Sequence, residues 1–148
     1  MFFLHAQNTY TMNDVTFTKT IVIDKQGKAI TGLFTRISKI NGTKYVNNYK
    51  NGKLNGISKS FDKNGNLLMI NYYKNDKSDG ITKMYDKNSI LRVYNENING
   101  MKNGLTIIFE DLETYFITFK NNTPVSGYVQ NLSGEKFALT KKQLNSFK

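Results

Sequence analysis

The chain contains no cysteine, one histidine (His5), one proline (Pro124) and two arginines (Arg36 and Arg92) among 148 residues. Without cysteine there is no disulfide, no thiol nucleophile and no cysteine-ligated zinc. A lone histidine argues against a histidine-based triad and against a multi-histidine metal site. No apolar run approaches the roughly 18 residues that a membrane-spanning helix needs. Carboxylates are scarce: 11 Asp and Glu stand against 21 Lys and Arg, a formal net charge of +10. The length corresponds to one domain. A hydrophobic content of 39% fits a folded chain with a thin core.

What is present is a repeat. Glycines fall at Gly32, Gly56, Gly80, Gly104 and Gly127, at spacings of 24, 24, 24 and 23 residues. Three of them are followed by an apolar residue at +1 and an aromatic at +5: Ile57 and Phe61, Ile81 and Tyr85, Leu105 and Phe109. Leu33 and Ile37 form a weaker first copy. Turn residues come next, Asp62-Lys63-Asn64-Gly65 and Asp86-Lys87-Asn88-Ser89, with Glu110-Asp111-Leu112-Glu113 as a degenerate third version. A second stretch follows each turn. Leu67, Met69 and Tyr73 align with Leu91, Val93 and Asn97, and earlier with Thr43, Tyr45 and Tyr49. Lys50-Asn51-Gly52-Lys53 and Lys74-Asn75-Asp76-Lys77 close successive units.

Within each segment the period is two, with Ile57, Lys59 and Phe61 on one side and Ser58 and Ser60 on the other. Val15 to Ile23 alternates in the same way, with Thr16, Thr18 and Thr20 on one side. Such segments, split by Asn-Gly and Asp-containing turns, read as β-hairpins. The fold expected is all-β: an elongated antiparallel meander of stacked β-hairpin repeats, each glycine opening a strand. Residues 7–31 read as N-terminal capping strands, 32–128 as the repeats and 129–148 as a C-terminal strand and short helix cap. The helix is expected after Thr140, which has capping-box spacing to Gln143, with Leu144 and Phe147 three apart on one side. Residues 1–6, Met-Phe-Phe-Leu-His-Ala, resemble the tail of a secretory signal cut after Ala6, which makes the protein exported to the periplasm or envelope. The plainer reading is a short apolar strand, in which case the protein is cytoplasmic.

The unit Tyr49-Lys50-Asn51-Gly52-Lys53-Leu54-Asn55-Gly56, continuing from Ile57 to Phe61, resembles the MORN repeat, and more narrowly the bacterial MORN variant of YwqK-type proteins labelled antitoxins. Tyr73 to Gly80 is the second good copy, Ile98 to Gly104 a third without the tyrosine, and Pro124 to Tyr128 a vestige. The resemblance covers about residues 24–128. It implies an elongated β-repeat sheet without catalysis of its own, acting as a scaffold, dimerisation module or membrane-proximal binder.

The residues themselves also argue against an enzyme. Asp62 and Asp86 sit one repeat apart in turns, where aspartate side chains bond the backbone. Glu110, Asp111 and Glu113 form an acidic cluster without the ligand pattern of a calcium loop. No metal or cofactor is expected. Charge is more informative. Between Asp24 and Asp62 there is no acidic residue but eight basic ones: Lys25, Lys28, Arg36, Lys39, Lys44, Lys50, Lys53 and Lys59. Lys59 and Lys83 occupy the same repeat position and are expected to stack as a ladder of like charge, which an anionic partner would neutralise. The plain alternative is a solubilising Lys/Asn surface. The contact face is assigned to Tyr45, Tyr49, Tyr73, Lys59 and Lys83, with aromatics as anchors and lysines for steering. The partner expected is another protein, or an anionic lipid or polysaccharide. Nucleic acid is disfavoured for an exported chain. The competing class is an antitoxin or immunity protein that blocks one cognate toxin one-to-one.

The repeat reading makes a direct prediction. One residue inserted at Ser58 shifts every following side chain of its strand to the other face. The variant is expected to lose cooperative thermal unfolding by circular dichroism, and a melt like the parent's rejects the hairpin reading.

Overall fold

The computed structural model describes residues 7–148. The expected signal remnant, residues 1–6 with His5, lies outside the described residues. The chain runs through β1 (Thr9–Tyr10), β2 (Val15–Phe17), β3 (Val22–Asp24), β4 (Gly32–Ile37), β5 (Lys44–Lys50), β6 (Lys53–Phe61) and β7 (Leu67–Lys74). It continues with β8 (Lys77–Tyr85), β9 (Leu91–Ile98), β10 (Met101–Phe109), β11 (Glu113–Lys120), β12 (Thr123–Asn131), β13 (Lys136–Ala138) and α1 (Lys141–Asn145). Eleven strands form one open sheet in the order β1, then β4 to β13 in sequence. All pairs in it are antiparallel except β1 with β4. β2 and β3 pair separately. This is the expected all-β meander.

Turn chemistry sets the meander. Along one edge, Asn51-Gly52, Asn75-Asp76, Asn99-Gly100 and Asn121-Asn122 all have positive φ at both positions, between 49° and 86°. Two-residue turns of this kind match the twist of the strands they join, and Asn, Asp and Gly tolerate them best. Each turn is also tied to the previous unit. The N–H groups of Gly52, Asp76, Gly100 and Asn122 donate to the carbonyls of Ile30, Leu54, Ser78 and Lys102 at 2.7–3.0 Å. Along the other edge, the Asp62 carboxylate accepts the N–H groups of Asn64 and Asn66, and Asp86 accepts those of Asn88 and Ile90, all within 3.0 Å. The connection 110–112 is three residues long, against five for 62–66 and 86–90. That deletion shortens the last strand interval.

The repeated glycines do not open strands, Gly32 apart. Gly56, Gly80 and Gly104 sit fourth in β6, β8 and β10, each at the centre of a wide bulge. Three residues there, such as Asn55, Gly56 and Ile57, face one residue of the preceding strand: Asn48, Tyr72 or Glu96. Their φ values are +102°, +116° and +115°. A β-carbon at these positions would lie 3.3, 3.1 and 3.0 Å from the Cβ of Asn48, Tyr72 and Glu96. Glycine therefore recurs because backbone sign and space both demand it. Two of the facing side chains satisfy backbone freed by the bulge. Asn48 Nδ2 donates to the Ile57 carbonyl at 2.8 Å, and the Glu96 carboxylate accepts the Leu105 N–H at 2.8 Å.

The sheet is one layer, and its apolar cores lie at its ends. Val22, Ile30, Phe34 and Tyr49 form one; Ile117, Phe119 and Leu144 form the other. Between them runs a row of directly opposed residues: Phe34, Asn47, Ser58, Asn71, Thr82, Asn95, Thr106, Ile117 and Gly127. Its middle is polar yet buried, from Ser58 at 8% exposed to Thr106 at 2%. Hydroxyls of Ser58, Thr82 and Thr106 donate to Oδ1 of Asn47, Asn71 and Asn95 at 2.5, 2.7 and 2.9 Å.

The ends are capped. Thr140 forms the expected capping box with Gln143, and Leu144 is buried against the C-terminal core. The alternating reading of Val15 to Ile23 as one segment is corrected: residues 18–21 turn between β2 and β3. The Thr18 hydroxyl donates to the Ile21 carbonyl at 2.6 Å and accepts the Ile21 N–H at 3.0 Å. Threonine favours strands, but its hydroxyl also closes local turns, and here the turn prevails.

Gly80→Ala is expected to cost about 1–3 kcal/mol in urea unfolding, from strain at positive φ and the crowding against Tyr72. Gly65→Ala, with nothing within 4 Å of the added carbon, carries the strain alone and is expected to cost less.

Candidate binding surface

Strand alternation sorts the side chains onto two faces. Asn47, Asn71 and Asn95 mark one. The other carries the opposed row Val46, Lys59, Ile70, Lys83, Tyr94, Ile107, Phe116 and Tyr128. Lys59 and Lys83 do share a face. They are not on adjacent strands, however, because Ile70 lies between them. Two strand spacings separate them, about 9.5 Å. The expected repulsive ladder is thereby relieved.

The five expected contact residues are divided between the faces. Tyr45, Tyr49 and Tyr73 lie on the asparagine face, because Tyr45 opposes Ser60 and alternation along β5 and β7 carries Tyr49 and Tyr73 with the Asn47 and Asn71 side. Tyr49 is a core residue, edge-on to Phe34 with ring centroids 5.8 Å apart. Burial, and next the nearby Asp76 charge, push its phenol pKa upward. Tyr45 lies under the Arg36 guanidinium, 4.7 Å from the ring centroid. Tyr73 is half-buried. Lys59 is exposed and Lys83 half-buried on the opposite face.

The like-charged residues that are directly opposed lie at the two-residue turns. Lys50 directly opposes Lys53, and Lys74 directly opposes Lys77. Like charges directly across a strand pair are destabilising. The contact-face assignment did not include these four, although a two-residue turn always sets its flanking residues opposite each other. The matching Lys-Asn-Gly-Lys and Lys-Asn-Asp-Lys runs contained that signal. Lys50, Lys53 and Lys74 line an open cleft of about 780 Å³, together with Asn51, Asn55, Asn75 and Asp79. The lysine face beside it presents exposed Tyr72 and Ile81.

Among the described residues, no lysine makes an ion pair. The two salt bridges both belong to Arg92, at 2.8 Å to Asp86 and 2.7 Å to Asp111. Arg92 also lines a cleft of about 610 Å³ with Ile108, Phe109 and residues 110–113, so the guanidinium there is already engaged. Of the acidic cluster, Asp111 serves this pair and Glu113 accepts the Tyr115 hydroxyl at 2.6 Å.

No protein-family model matches the chain, and no curated protein matches it either.

The turn carboxylates are expected to contribute to the acid sensitivity of the fold. Asn66 donating to Asp62, and the Ile90 N–H and then Arg92 donating to Asp86, hold both carboxyls below the usual aspartate value. A depressed folded-state pKa contributes stability above the unfolded value of about 3.9 and loses it as pH falls through the folded value. The melting temperature is therefore expected to fall with pH below about 4. The Asp62→Asn/Asp86→Asn variant is expected to show a shallower fall, and an unchanged slope would count against these turns as the source.

Proposed function

We propose that this chain is a non-enzymatic binding or scaffold protein of the MORN-variant type, which recognises a protein or anionic envelope partner through its lysine face and the adjoining turn edge. The observation that carries the reading is the pair of directly opposed lysine positions, Lys50 with Lys53 and Lys74 with Lys77, none of which makes an ion pair with a carboxylate among the described residues. An anionic partner neutralises this like charge on docking, which favours association there. Tyr72 and Ile81 supply apolar contact beside the charges. Lysine predominates over arginine, 19 to 2, which favours a diffuse field over a forked phosphate pocket. The Tyr-Lys-Asn-Gly-Lys and following glycine pattern supports the MORN-type assignment.

The test is capture from host envelope and cytosol, washed at about 50 mM and about 500 mM salt, a range that screens surface charge. Partner retention is expected at low salt. Reversing Lys50, Lys53, Lys74 and Lys77 to Glu is expected to weaken it by roughly tenfold or more. A single stoichiometric protein that survives high salt, and is indifferent to the charge reversal, overturns the electrostatic reading in favour of a dedicated toxin–immunity pair.

A further inference from the structure

At the β4–β5 end of the asparagine face lies a pocket that the lysine surface does not use. It has a volume of about 360 Å³ and is lined by Met12, Phe17, Phe34, Arg36, Asn47 and Tyr49. That is within the size range of small-ligand sites. Its floor follows from strand register. Phe34 opposes Asn47 and Arg36 opposes Tyr45, so alternation places Phe34, Arg36, Asn47 and Tyr49 on one face. The floor is rigid: Phe34 is 2% exposed and Tyr49 9%, with Phe17 and Tyr49 both edge-on to Phe34 at 5.6 and 5.8 Å. Met12 and Phe17, each about half exposed, form the opposite lip.

Two polar groups converge on this apolar cup. Arg36 is held 4.7 Å over the Tyr45 ring, and among the described residues it has no carboxylate partner and donates no hydrogen bond to the protein. This contrasts with Arg92, whose guanidinium is tied to two carboxylates. Asn47 Oδ1 is occupied by the Ser58 hydroxyl, which leaves the two amide hydrogens of Asn47 without a protein acceptor among the described residues. An arginine fork and an amide donor suit an oxyanion, and the aromatic floor suits an apolar body, so a carboxylate attached to an apolar body satisfies both.

We propose that this pocket binds a small monocarboxylate with an aromatic or branched aliphatic body, the carboxylate meeting Arg36 and Asn47 and the body resting on Phe34 and Tyr49. The stacking of Arg36 on Tyr45 leaves little side-chain freedom to be lost on binding. The site lies on the face opposite Lys59 and Lys83, so it stands apart from the docking surface proposed above.

The experiment is an NMR titration of the whole chain at neutral pH with 3-phenylpropionate and with its neutral counterpart 3-phenylpropan-1-ol. The acid is expected to bind saturably below about 10 mM, with shifts centred on the rings of Phe17, Phe34 and Tyr49. Arg36→Met is expected to weaken the acid by about tenfold or more and leave the alcohol unchanged. Arg36 is exposed, so the variant retains the fold, which an unchanged melt verifies. Met12→Glu, which sets a competing carboxylate at the lip, is expected to weaken the acid without altering the guanidinium. Equal affinity for acid and alcohol, indifference to Arg36→Met, or no saturation below about 10 mM overturns the proposal. Loss of the lysine-face partner leaves these results unaffected, so the two readings fail separately.

Discussion

The hydroxyl-to-amide hydrogen bonds from Ser58 to Asn47, Thr82 to Asn71 and Thr106 to Asn95 hold the register on which every other feature rests. A single-layer sheet has no opposing layer to pack against and the buried middle of its central row is polar, so apolar packing cannot specify strand alignment there. Each bond joins a pair that is already directly opposed, and a slip of one residue would separate donor from acceptor and reverse both faces. The wide bulges act with this row. Each turns the chain next to it at a glycine with positive φ, one side chain from the preceding strand covering the gap. The apolar clusters then close the two ends, where β1 and β13 leave only short edges to pair.

This architecture leaves charge with little compensation. Carboxylates are spent on turns: Asp62 and Asp86 on backbone N–H groups, Asp76 on the Leu54 N–H, Glu96 on a bulge. The lysines accumulate at the two-residue turns and across one face, and among the described residues none of them makes an ion pair. The two faces therefore differ in kind. One is a polar ladder with an aromatic pocket at its end; the other mixes lysines with half-exposed aliphatic and aromatic side chains.

Much of the fold was legible because it is local. The 24-residue interval, the Asn-Gly turns and the Asp-led loops are short-range signals, and they lead to the correct hairpins. The Thr140 and Gln143 capping box was readable for the same reason. The position of the glycines within the strands was not. A glycine with a following apolar residue fits a strand opening as well as a bulge, and only pairing with Asn48, Tyr72 or Glu96 separates the two. The placement of the candidate residues was legible by half. Lys59 and Lys83 share a face as their spacing implied, but the interposed Ile70 belongs to a strand from the other half of the repeat unit.

By itself the amino-acid sequence determined the class, the hairpin period, the turn types and the excess of positive charge, all of which depend on neighbours along the chain. Tertiary structure decided which side chains meet. It placed Tyr45, Tyr49 and Tyr73 away from Lys59 and Lys83, set Lys50 opposite Lys53 and Lys74 opposite Lys77, and gathered Met12 and Phe17 with Arg36 and Asn47 around one pocket. The physical reason is register: in a sheet with a two-residue side-chain period, facing and contact depend on how strands align, and that alignment is set by bulges and cross-strand hydrogen bonds rather than by composition.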